Sequence, residues 1–183
     1  MSEPQLPPFF RPLRERLPDV DIVVLPPPAP RPEPVPLPAP PDEVARRTAD
    51  WARELWDGFG APEPTTTTVR WAPGGTRGAV ALEVLLVVTP VDATAALTVL
   101  AAADDSLRAP GPLAWHVLAP PTGLARVQAS AVAAGVRYAA DLVHVPARDR
   151  LFLRLTVGDH EVGPDAVATL TAAADAREGV DGA

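Results

Sequence analysis

The chain has 183 residues, a formal charge of −7 and a sequence pI of about 4.9, and its length is enough for one domain with an appendage. The acidic balance argues against a general nucleic-acid binder, which needs a basic face, and it gives no reason to expect attraction to anionic lipids, so we expect neither nucleic acid nor membrane as a partner. All 16 basic residues are arginine and there is no cysteine, which excludes a Schiff-base lysine, disulfides and cysteine-ligated metals.

The first 41 residues hold 15 of the 25 prolines. Ten of these lie in residues 26–41, where a fixed φ and missing N–H donors favour a polyproline II linker of roughly 50 Å. A PxxP-type ligand for an aromatic groove is the alternative for this stretch. Residues 1–25 are predicted to be a docking arm, because their apolar side chains would be exposed without a partner. The predicted partner-binding residues are Phe9, Phe10, Leu13, Leu17, Ile22, Val23 and Val24.

A helix is predicted to begin at Asp42 and to end at Gly58, since acidic residues suit its first turn and glycine suits its end. We interpret Trp51, Trp56 and Phe59 as packing residues rather than as a ligand cage. The helical face has residues at i, i+4, i+7 and i+11: Val44, Thr48, Trp51 and Leu55.

Residues 65–71 and 79–88 are predicted to form a hairpin, and the second arm is apolar on both faces, as in a central strand. A helix is then expected over residues 91–103, with Thr89 as its cap, Pro90 in its first turn and Asp92 at the capping-box position. A strand is expected over residues 113–118.

Residues 123–135 fit two patterns. Alternation of small apolar and polar side chains favours a strand, whereas the alanine content and a passable helical face favour a helix. We choose the strand, because Gly135 can then turn the chain into a second hairpin over residues 136–157. The period-two pattern of that hairpin's second arm is typical of a sheet with one buried face.

A polar loop is predicted over residues 158–163, followed by a helix from Pro164 to Arg177. The loop contains the triplet Asp159-His160-Glu161, the group of side chains in the sequence that most resembles a metal-binding or catalytic site. Adjacent residues of a strand point in opposite directions, so these three would not converge on a metal without a turn. We expect a solvated His160, and we expect no catalytic residue, cofactor or bound metal.

The run HVPARDRLFLRLTVG (144–158), the helix PDAVATLTAAADA (164–176) and the stretch TPVDATAALTVLAAA (89–103) resemble segments of small proteins of high-GC bacteria. These proteins are similar to the PsbP-like α/β/α sandwich, an antiparallel sheet with helices on both faces. The resemblance covers residues 42–177 at the level of architecture. It implies a fold and a non-catalytic interaction role, and it assigns no functional residue.

We therefore predict an α+β fold, a mostly antiparallel sheet flanked by helices (an α/β/α sandwich) with a proline-rich extended N-terminal arm. The predicted parts are the arm (1–25), the linker (26–41), one domain (42–178) and a loose tail (179–183). The predicted function is that of a cytoplasmic, non-catalytic protein-interaction or accessory module, whose arm binds another protein or a second copy. The alternatives are a structural component of a secretion or phage-derived assembly, and a small hydrolase or metal-dependent enzyme using the Asp159-His160-Glu161 loop.

Overall fold

A computed structural model of the chain describes Arg16, residues 33–119 and residues 125–178, with no side-chain placement for residues 173–178. Apart from Arg16, the predicted docking arm lies outside the described residues, as do the first part of the linker and the predicted tail.

The described residues form helices and one large sheet. The helices are α1 (Pro41–Gly58), α2 (Ala93–Arg108) and α3 (Pro164–Glu178). The strands are β1 (Val35–Pro36), β2 (Thr66–Pro73), β3 (Ala79–Val88), β4 (His116–Leu118), β5 (Arg126–Ala133), β6 (Val136–Val145) and β7 (Arg150–Glu161). A 3₁₀ turn, Pro146–Arg148, joins β6 to β7. The sheet has seven strands in the order β2-β3-β7-β6-β5-β4, and β1 pairs with β7. Every pairing is antiparallel except that of β1. The predicted α+β class with a mostly antiparallel sheet is confirmed.

The core forms on the sheet face that carries the alternate apolar residues of the central strands. Val84 and Leu86 of β3 are fully buried there, opposite Leu155 and Leu153 of β7. The main core also takes Trp56 and its neighbours from α1 and most of the buried residues of α2. A smaller core combines Val44, Trp71, Val80 and Leu82, and side chains of α3 pack against it. All three helices therefore contribute to cores built on this face.

The two predicted hairpins are present with the expected pairing. β2 pairs with β3, and β6 pairs with β7 around a turn in which Asp149 has a φ of 45°. The choice of a strand for residues 123–135 is confirmed over its described part, because β5 pairs with β6 along its whole length. Arg126 holds Asp141 across this pair with two hydrogen bonds of 2.6 and 2.8 Å.

The start of α2 differs from the prediction. The helix begins at Ala93, and its N-cap is Asp92, whose carboxylate accepts a hydrogen bond of 2.9 Å from the Ala95 N–H. The prediction of Thr89 as the cap was wrong, because the chain does not become helical until three residues after Pro90.

The end of the predicted linker also differs from an isolated polyproline segment. Val35 and Pro36 form β1 and pair with His160 and Glu161, and Pro41 is the first residue of α1. Gly135 has a φ of +79°, which favours glycine at the turn between β5 and β6, and a Cβ atom there would lie 2.8 Å from Val35 Cγ1 of β1. The described end of the linker thus belongs to the folded domain.

Candidate functional site

A bulge in β7 sets the position of His160. Val157 lies opposite Leu82 and His160 lies opposite Val80, so Ala81 faces two residues, Gly158 and Asp159. In a regular strand, residues three apart point to opposite faces. The extra residue of the bulge cancels that parity and turns both Val157 and His160 toward the core face, where both line one pocket.

Glycine is required at the centre of this bulge. Gly158 has a φ of +150°, and a Cβ atom there would lie 2.9 Å from Ala81 Cα and 3.0 Å from the Val80 carbonyl oxygen. The close approach of β3 to β7 at Gly158 is therefore a condition for the placement of His160.

His160 is 2% exposed, and its ring meets the Trp71 ring edge-on at a centroid distance of 6.4 Å. Among the described residues, neither ring nitrogen has a hydrogen-bond partner. Burial lowers the pKa of His160, because the charged ring loses its hydration, and this outweighs the opposing effects of the Asp159 carboxylate and the Val35 backbone.

The pocket that His160 lines has a volume of about 530 Å³. One wall is α1, the second is the end of α2 with the following loop, and the third is the sheet at β6 and β7. The loop wall contains Pro110, Gly111 and Pro112. On the α1 wall, the Arg47 side chain is mostly exposed and forms an ion pair with Glu43. A volume of this size lies within the range of small-molecule sites.

Three aromatic rings stand together in this pocket, one from each wall. Trp51 of α1 stacks on Trp115 with a centroid distance of 6.2 Å and an interplanar angle of 16°. Tyr138 of β6 meets Trp51 edge-on at 5.7 Å. Trp51 was interpreted from the sequence as a packing residue, and the structure places it on the pocket wall as well as against the main core. Trp56, by contrast, is fully buried, and its indole N–H donates to the Pro62 carbonyl oxygen at 2.7 Å.

The triplet Asp159-His160-Glu161 lies in β7, so the prediction of a polar loop with a solvated His160 was wrong. Its members have separate surroundings. The Asp159 carboxylate is buried and accepts a hydrogen bond of 2.9 Å from the Gly75 N–H in the turn between β2 and β3. Glu161 is exposed at the end of the strand. Within the described segments, no group of three histidine or acidic residues is placed to hold a metal ion.

The predicted partner-binding residues Phe9, Phe10, Leu13, Leu17, Ile22, Val23 and Val24 all lie outside the described residues. Sequence reasoning missed the pocket residues Trp115 and Tyr138, and it placed His160 in a solvated loop instead of on a pocket wall. A sequence signal for this pocket was the position of Trp51 and Leu55 on the predicted apolar face of α1. In the structure, both side chains line the pocket and also pack against the main core.

Searches against protein-family models, curated proteins and solved structures found no match to this chain. In the part of the chain that the structure describes, no helix is both long enough and apolar enough to cross a membrane.

Proposed function

We propose that this chain is a non-catalytic binding module, and that its pocket takes a small molecule with an apolar, ring-containing body. The observation that supports this proposal is the 530 Å³ pocket with Trp51, Trp115 and Tyr138 on its three walls. Aromatic side chains contribute large apolar contact areas, and they favour the binding of ligands with flat rings through stacked or edge-on contacts. Most other lining groups are aliphatic or proline.

The shape of the site favours a small molecule over a peptide segment. A helix-binding groove is an open channel that takes anchors along several turns, whereas this pocket is bounded by α1, the loop after α2 and the sheet. Arg47 is a charged side chain that lines the pocket, and it pairs with Glu43 at the surface. They leave no reason to expect a strongly charged ligand.

Calorimetric titration of the full chain with 2-methoxynaphthalene tests this proposal. We expect saturable binding of one probe molecule per chain, weakened about tenfold in Trp115→Ala, because the substitution removes a stacking wall worth about 1.4 kcal/mol. Leu118→Ala is the matched control, since Leu118 is 58% exposed and does not line the pocket. The proposal is overturned if the wild-type chain shows no saturable binding, or if both substitutions weaken binding equally.

A second and separate proposal concerns the binding partner that the sequence predicts. The N-terminal arm is proposed to bind another protein or a second copy of the chain, with a cytoplasmic location. The acidic charge and the apolar residues of the arm support it. The assembly-component and enzyme alternatives stay predictions, and the described residues favour neither.

A further inference from the structure

The sheet ends on one side in a long strand, β2. It is the outermost strand in the sheet order, and no strand of the described residues pairs with its outer side. The strand at the opposite edge, β4, has three residues, whereas β2 has eight residues in unbroken register with β3. Natural edge strands are usually short, or are blocked by lysine, an internal proline or a bulge. β2 has no lysine and no bulge, and proline occurs in it only as its last residue, so its edge is open to pairing.

The turn between β2 and β3 shows which backbone groups of β2 face outward. The Gly74 N–H donates to the Ala79 carbonyl oxygen at 2.8 Å, in the same register as the β2–β3 pairs. Because hydrogen-bonded pairs alternate along an antiparallel ladder, the even-numbered residues of β2 bond to β3, and the odd-numbered residues direct their N–H and C=O groups away from it. Pro73 agrees with this assignment, since a residue without an N–H suits an outward position on an edge strand.

Thr67 and Val69 have the accessible outward groups. Thr67 is exposed and Val69 is half-buried, whereas the next outward residue, Trp71, is buried in the smaller core. In the part of the chain that the structure describes, no loop or helix backbone bonds to Thr67 or Val69. Both residues therefore have an N–H and a C=O group that another strand can bind.

We propose that β2 pairs antiparallel with β2 of a second copy of this chain, around a two-fold axis at Thr68. In this register, Thr67 of each copy lies opposite Val69 of the other, and each such pair exchanges both of its backbone hydrogen bonds. The surface lies apart from the pocket, which no residue of β2 lines, and apart from the N-terminal arm. The inference is therefore independent of the proposed function.

The side chains of β2 favour a second copy as the partner, because the strand is complementary to itself in this register. Thr68 lies opposite Thr68 of the other copy, and Thr66 lies opposite Arg70. Threonine pairs stabilise neighbouring strands, whereas like charges directly opposite each other destabilise them, and here no like charges meet. Each Arg70 keeps its ion pair with Glu83 of its own chain, at 2.8 Å. A two-fold axis also closes the assembly at a dimer.

A cysteine on the proposed axis tests this pairing, because the chain has no cysteine of its own. In Thr68→Cys, the two thiols would lie directly opposite each other, with Cα atoms about 4.5 Å apart, a distance that a disulfide can span. Thr66→Cys is the matched control on the same face of the strand. Its two copies would lie about 14 Å apart along the strands, which is too far for a disulfide. With oxidised glutathione and the full chain, we expect a covalent dimer of Thr68→Cys and none of Thr66→Cys.

Thr67→Pro, added to Thr68→Cys, tests the backbone hydrogen bonds. Proline removes the outward N–H that the second copy would bind, and this N–H is not used by β3. We expect the covalent dimer to disappear while the circular dichroism spectrum stays unchanged. The wild-type chain should pass reversibly from monomer to dimer with rising concentration in sedimentation experiments, because one pair of strands makes a small interface.

Three results would overturn the proposal. The first is a Thr68→Cys chain that forms no more covalent dimer than Thr66→Cys, which would mean that another strand or another surface takes this edge. The second is a covalent dimer that survives Thr67→Pro in a folded chain. The third is a wild-type chain that stays monomeric at every concentration.

Discussion

Gly158→Ala is the substitution that tests most sharply how the fold places His160. The bulge at Gly158 turns His160 into the pocket, and it depends on the close approach of Ala81 and Val80 from β3. An added methyl group would enter the space between two paired central strands. Its nearest neighbours are backbone atoms, which cannot turn away as the end of a side chain can.

Two costs follow from the geometry. A φ of +150° is strained for any residue with a Cβ, at about 1–3 kcal/mol. The contacts of 2.9 Å to Ala81 Cα and 3.0 Å to the Val80 oxygen are overpacking, which costs about 1–3 kcal/mol more. The middle of the combined range is about 4 kcal/mol, which corresponds to roughly 8–16 °C in melting temperature for a chain of this length.

The assay is thermal unfolding followed by circular dichroism, together with urea unfolding for the free energy. Gly60→Ala is the matched control, because Gly60 also has a positive φ, +69°, but a Cβ there would meet nothing within 4 Å. Gly60→Ala should lose only the free energy that a positive φ costs a residue with a Cβ atom, about 1–2 kcal/mol. If Gly158→Ala is no less stable than Gly60→Ala, β3 and β7 do not approach each other as described, and the account of the bulge is refuted.

Three further predictions concern the helix cap, the buried histidine and the arm. Asp92→Ala should lower the free energy of unfolding by about 1 kcal/mol in urea titrations and Thr89→Ala by clearly less, and equal losses would contradict Asp92 as the cap. Because the pKa of His160 is lowered in the folded chain, the unfolded chain binds the proton first, so stability is full above the ordinary pKa of 6.5 and falls as the pH drops through that value. Urea unfolding between pH 8 and pH 5 should show this loss in the wild type and less of it in His160→Phe, and parallel curves would refute it. Deleting residues 1–25 should leave the melting temperature unchanged and abolish partner binding, or the self-association that the arm adds to pairing through β2, in light scattering, whereas an unfolded truncated chain would assign the arm to the fold.

The sequence predicted the elements of the fold well, because their signals are local. Alternation of apolar residues along β7 marks one buried face, the continuous apolar run of β3 marks a central strand, and Gly135 marks the turn between β5 and β6. The cap of α2 was harder to predict, because Thr89 and Asp92 are both good capping residues and only the path of the chain after Pro90 separates them.

The candidate site was not predictable in the same way, because it depends on contacts between distant parts of the chain. Trp51 and Trp115 belong to different elements, and nothing in either local pattern shows that their rings stack. His160 follows a bulge that exists only where Ala81 of β3 faces two residues of β7. Simple alternation from Val157 places the ring on the wrong face of the sheet.

The most direct test of the pocket as a binding site is the response of the four tryptophan indole N–H signals in ¹H–¹⁵N NMR spectra during titration with 2-methoxynaphthalene. Trp51 and Trp115 line the pocket. Trp56 is fully buried in the core, and its indole N–H donates a hydrogen bond to the Pro62 carbonyl oxygen. We predict saturable shifts of the Trp51 and Trp115 signals at one common affinity and an unmoved Trp56 signal. Signals that all stay in place, or a Trp56 signal that moves as far as the other two, would contradict binding in this pocket.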